Sequence, residues 1–80
     1  MRDRRNHILL GDYIRAARCS ANMSQVQLSK LLNKPQSYVA KVEAGERRLD
    51  VFELFEFTDV LDVNLYEAIK YLHNTRNRKY

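Results

Sequence analysis

The chain has 80 residues, 45% hydrophobic and 30% charged, with a formal net charge of +4, and nowhere does it approach the ~20 consecutive apolar residues of a membrane span. That length suits about one small domain, and a second, catalytic one is not expected. A lone cysteine, Cys19, excludes an internal disulfide, and Ile8, Leu9 and Leu10 before Gly11 are too short a run for a signal peptide, so a reducing cytoplasm is the expected compartment.

Two glycines and one proline leave little material for hairpins, and the expected class is all-α. In the first helix, about 8–21, Leu10, Ile14 and Ala17 recur at helical spacing with Tyr13 alongside, and Asn22 tolerates the left-handed conformation that ends many helices. Ser24 with Gln27 three residues on has the form of a capping box, so a second helix starts at Gln25 and carries Val26, Leu28, Leu31 and Leu32 to Asn33. Pro35 suits the first turn of a third helix over about 35–44, which Gly45 closes. Asp50 and Glu53 repeat the capping box ahead of a fourth helix, in which Val51, Leu54, Phe55, Thr58 and Leu61 share a face while Phe52, Phe57 and Val60 lie off it. Leu65, Ile69 and Leu72 mark a fifth helix over about 64–74. The expected fold is a compact five-helix bundle over 8–74, between a basic N-terminal arm (1–7) and a basic, frayed C-terminal tail (75–80).

Charge is unevenly spread. Residues 1–41 hold eight bases against Asp3 and Asp12, a net of +6, whereas 49–75 hold six acids against Lys70, a net of −5. That pattern suits a basic working face meeting a polyanion and an acidic back, and equally a merely solvated surface.

The second and third helices are joined by little more than Asn33-Lys34, which is the helix-turn-helix arrangement. On the third helix Val39 and Val42 face inward, and Gln36, Ser37, Ala40, Lys41 and Ala44 form a small, polar, cationic outer face. Such a face fits the DNA major groove, where Gln and Lys supply adenine- and guanine-edge contacts.

Residues 10–72 resemble the lambda-repressor-like family of helix-turn-helix DNA-binding domains, the Cro/repressor or xenobiotic-response-element class. The resemblance is carried by Leu10 and Ile14 through Arg18, by the run from Met23 to Ser29, by the run from Gln36 to Arg48, and by Val60 to Val63. It implies that Gln25 clamps a phosphate with its side chain and the helix N-terminus, that Gln36, Ser37 and Lys41 read bases, and that Tyr38, Arg47 and Arg48 contact the DNA backbone. It further implies an ion pair between Arg18 and Glu43 tying the first helix to the third. Asn22, Asn33 and Asp62 stand where the family usually has glycine, Ser29 where it has alanine, and Pro35 replaces a Ser or Thr cap.

The expected function is sequence-specific transcriptional regulation, as repressor or autoregulator, by a homodimer on an inverted-repeat operator in double-stranded DNA. Phe52, Phe57, Tyr66, Tyr71 and Leu72 are the dimer-interface candidates. An antitoxin that clasps a toxin, or a protein-interaction adaptor without DNA affinity, are the alternatives, and RNA polymerase is a further possible partner. His7 and His73 have no carboxylate or cysteine at ligand or triad spacing, so no catalytic or metal site and no cofactor are assigned. Cys19 is expected to be a small, partly buried thiol.

Overall fold

The computed structural model describes residues 4–79, with side chains through Arg78. It holds five helices: α1 (Arg5–Ser20), α2 (Gln25–Leu32), α3 (Gln36–Glu43), α4 (Val51–Leu61) and α5 (Leu65–Lys79). None of them is long and apolar enough to cross a membrane.

Local chemistry fixes the helix ends. Left-handed residues follow α1 to α4: Asn22 (φ 58°), Asn33 (58°), Gly45 (76°) and Asp62 (56°). At each, the next residue's N–H reaches back five positions, from Met23 to the Arg18 carbonyl (3.1 Å), Lys34 to Ser29 (2.9 Å), Glu46 to Lys41 (2.9 Å) and Val63 to Thr58 (3.0 Å). These are Schellman closures, and Asn or Asp occupies the left-handed position at lower cost than other residues with a Cβ. Both capping boxes are formed: Ser24 Oγ accepts from Gln27 N (3.0 Å) while Ser24 N donates to Gln27 Oε1 (2.7 Å), and Asp50 and Glu53 exchange the same bonds at 2.7 and 2.9 Å. Pro35 is the residue before α3 rather than in its first turn, extended at φ −68° and ψ 155°, and gives no side-chain cap.

The core is one cluster of Ile14, Leu28, Leu32, Val39, Val42, Phe57 and Leu61. Helix α3 lies against both α2 and α1, α4 covers α2, and α5 closes over α1. Gly11, which periodicity did not single out, sits at the crossing of α1 and the end of α3. A Cβ there would come within 2.5 Å of the Val42 carbonyl oxygen and 2.6 Å of that of Glu43, so the two backbones meet only because this residue has no side chain.

Several expectations need correction. Phe57 is not an interface residue: it is fully buried, and with Thr58 and Leu61 forms the inward face of α4, while Val51 is half exposed. A helix apolar on several sides carries more than one possible stripe, and contact with α2 and the Tyr38 ring selects this one. Of the apolar residues of α2, Leu28 and Leu32 are buried and Val26 and Leu31 exposed. Cys19 is exposed, not partly buried. Helix α1 begins at Arg5, within the segment expected as an arm, and α5 runs through Lys79, past the expected start of the tail, with Thr75 buried on it. Arg2 of the arm lies outside the described residues.

Candidate nucleic-acid interface

Helix α3 is held by its inner face. Val39, Val42 and Glu43 are buried, and Gln36, Ser37, Lys41 and Ala44 are exposed along the opposite side, with Ala40 half-buried between. The turn from Asn33 to Pro35 sets the start of α3 beside the start of α2: Gln36 Nε2 lies 3.4 Å from Gln25 Oε1. Gln25, half-buried at the first position of α2, donates through Nε2 to Glu43 Oε1 at 3.0 Å. The three residues expected to read bases thus share one exposed surface, and the residue expected to clamp a phosphate adjoins it.

Beneath that surface lies a buried charge. Arg18 donates Nε to Glu43 Oε2 at 2.6 Å and Nη2 to Oε1 at 3.0 Å, and its Nη1 donates to the Met23 carbonyl at 2.8 Å. Arg15, one turn earlier on α1, reaches the same carboxylate at 3.4 Å. Burial by itself would raise the Glu43 carboxyl, but the bonds from Arg18 and Gln25 outweigh it and hold the group below its ordinary value. Glu43 in turn raises Arg18 further. Arg15 was not anticipated, although its spacing of three from Arg18 puts both guanidinium groups on one side of α1.

Tyr38 is half-buried and belongs partly to the core. Its ring stacks on Phe57 with centroids 5.9 Å apart, and two cations lie over it, Arg47 at 5.0 Å and Lys34 at 5.4 Å. Its hydroxyl is shielded from solvent and has no hydrogen-bond partner among the described residues, so in this arrangement it is not presented to a backbone phosphate. Burial raises its ionisation above the ordinary tyrosine value. Arg47 is engaged as well: Nη2 donates to Glu53 Oε2 at 2.8 Å, and Nη1 reaches the Arg48 carbonyl. That leaves Arg48, exposed in the loop after Gly45, as the arginine of this pair with the open outlook. Lys34 escaped the sequence reading, and only its place beside Pro35 in the turn could have drawn notice.

Away from this surface, Phe52 is 71% exposed and Tyr66 81%. Tyr71 is half exposed, its ring 5.5 Å from that of Tyr13, and Leu72 is half-buried in a groove with Leu10, Leu49 and Leu54. Val51 and Ile69 add to the apolar exposure of α4 and α5.

Comparison with known proteins places this geometry. The helix-turn-helix family model HTH_3, of the Cro/C1 type, matches residues 14–67. Among solved structures, an XRE-family like protein from Pseudomonas syringae pv. tomato is 34% identical, with a TM-score of 0.79, 88% of this chain covered and 85% of that one. The restriction-modification controller protein C.AhdI from Aeromonas hydrophila is 28% identical, with a TM-score of 0.71 over 76% of this chain and 92% of that one. A crystallised point mutant of the controller protein C.Esp1396I, 18% identical, matches the fold over 100% of both chains with a TM-score of 0.85. No curated protein sequence matches the chain significantly. The family match spans most of the chain and includes both helices of the motif, α2 and α3, with the turn between them; the chain belongs to the Cro/C1-type (XRE) helix-turn-helix family of DNA-binding transcriptional regulators.

Proposed function

We propose that the protein binds a specific operator as a homodimer, with Gln36, Ser37 and Lys41 of α3 reading base edges in the major groove and Gln25 and Arg48 holding the flanking phosphates. The observation that carries this reading is the exposed row Gln36, Ser37 and Lys41 on a short helix whose other side is locked into the core by Val39, Val42 and Glu43. A rigid rod with small, hydrogen-bonding tips is what the groove admits. The free N–H groups at the start of α2, beside Gln25, favour an anion there.

One recognition helix spans few base pairs, so two copies related by a twofold axis raise affinity and set half-sites about one DNA turn apart, ~34 Å. The exposed aromatics Phe52, Tyr66 and Tyr71 on α4 and α5 support pairing through that side. An antitoxin would offer the same patch to a toxin, and sedimentation distinguishes the two: a dimer of this chain alone, or a monomer that pairs only with a co-purified partner.

Selection of bound sites from a random DNA pool tests the whole reading. It is expected to return one sequence in two inverted copies, and binding should fall ~10³-fold or more between 50 and 200 mM salt if about six phosphates are neutralised. Recovery of unselected sequence, with affinity flat in salt, would favour an adaptor without DNA affinity.

A further inference from the structure

The hydrogen bonds linking Glu43, Gln25 and Gln36 can run in only one direction. Glu43 is 2% exposed and kept ionised by Arg18, so its oxygens only accept. Whatever faces them must donate, and Gln25 does so with Nε2, 3.0 Å from Glu43 Oε1. Turned over, the Gln25 amide would set its oxygen against a carboxylate oxygen, acceptor facing acceptor, and lose the bond its Nε2 makes there. Gln25 Oε1 is thereby held on the far side, and Gln36 can meet it only with an N–H, as it does at 3.4 Å. What remains to Gln36 is one N–H and its Oε1, offered to an incoming partner in a fixed order. A solvated glutamine with no such anchor presents them in either order.

We propose that Glu43 is a specificity-determining positioning residue: from a buried site that no base can reach, it fixes the amide of Gln25 and, through it, the donor–acceptor order that Gln36 presents to DNA. The base edge that suits an N–H and a carbonyl oxygen side by side is the N7 and N6 edge of adenine. The proposal deepens the reading of α3 as the base-reading helix and rests on Gln36 making a base contact.

The test measures equilibrium affinity for the selected operator and for its three single-pair variants at the base pair met by Gln36, with the base pair met by Lys41 varied in parallel. Gln25→Met cuts the relay while leaving the Arg18–Glu43 pair whole, and Glu43→Gln allows both amides to turn over. Each is expected to lower discrimination at the Gln36 base pair roughly five- to tenfold and to leave the ratio at the Lys41 base pair unchanged. Thermal unfolding checks that Glu43→Gln is folded, and if it is not, Gln25→Met decides alone. A uniform loss over all four base pairs, with the ratio intact, overturns the relay and leaves Gln36 as a reader. A ratio that also survives Gln36→Ala removes the base contact itself, and the relay with it.

Discussion

Arg18 grips Glu43 with two nitrogens, at 2.6 and 3.0 Å, and so joins the last turn of α1 to the end of α3 across 25 residues of chain. The Glu43 side chain is wholly buried and that of Arg18 only 12% exposed, so the pair's worth lies in its completeness. Truncating one partner leaves a charge with no counterpart in a site where water cannot replace it. Glu43→Ala is expected to cost about 3–5 kcal/mol in denaturant unfolding. Replacing both residues with apolar ones of similar size should recover most of that loss, and a double variant no better than the single would show that packing, not charge, is at stake.

The same pair makes stability depend on pH. The Glu43 carboxyl titrates below its ordinary value when folded, against ~4.3 in the unfolded chain. Between those two values the unfolded state binds more protons, so stability rises with pH there. The contribution is complete above the unfolded value and is lost as pH falls through the folded one. Chemical unfolding from pH 7 down to 2 should therefore show a decline beginning near pH 5, and Glu43→Gln should flatten it.

Gly11→Ala sets two effects against each other. In a solvated helix the exchange stabilises by about 1 kcal/mol. Here the new methyl would stand 2.5 Å from one α3 carbonyl oxygen and 2.6 Å from the next, and both are backbone. Overpacking of this kind costs about 1–3 kcal/mol, so the clash should win and lower the melting temperature by several degrees. A rise would mean that α1 and α3 can separate without loss.

Two phenylalanines on α4 should behave in opposite ways. Phe57, fully buried among Ile14, Leu28 and Val39 in the core cluster, is expected to lose about 3–5 kcal/mol of stability on truncation to alanine. Phe52, 71% exposed, should leave the melting of the monomer within about 0.5 kcal/mol and instead weaken self-association in sedimentation equilibrium. Equal destabilisation by both would place Phe52 in the monomer core.

How far these features can be read from sequence depends on whether the cause is local. The C-terminal ends of α1 to α4 and the starts of α2 and α4 were legible because each rests on one or two side chains with specific chemistry: Ser24 with Gln27, Asp50 with Glu53, and the left-handed Asn22, Asn33, Gly45 and Asp62. The outer face of α3 was legible too, since Gln36, Ser37 and Lys41 fall at helical spacing away from the inward Val39 and Val42. Gly11 was not, because its purpose is a contact with carbonyls more than thirty residues away. Nor was the register of α4, where Phe52, Phe55 and Phe57 are interchangeable until α2 and Tyr38 choose among them. The link from Glu43 through Gln25 to Gln36 joins three helix positions far apart in the chain, and only the assembled α2–α3 corner brings them together.

Under the proposed function, the exposed side of α3 reads base pairs rather than merely attracting a polyanion. The most direct measurement is the affinity of the wild type, Lys41→Ala and Arg48→Ala for the selected operator and for random duplex at one salt concentration. Lys41→Ala is predicted to lower the ratio of specific to non-specific binding by about 1–3 kcal/mol, and Arg48→Ala to weaken both DNAs alike. Equal losses on both DNAs for Lys41→Ala would mean that Lys41 attracts DNA without reading its sequence.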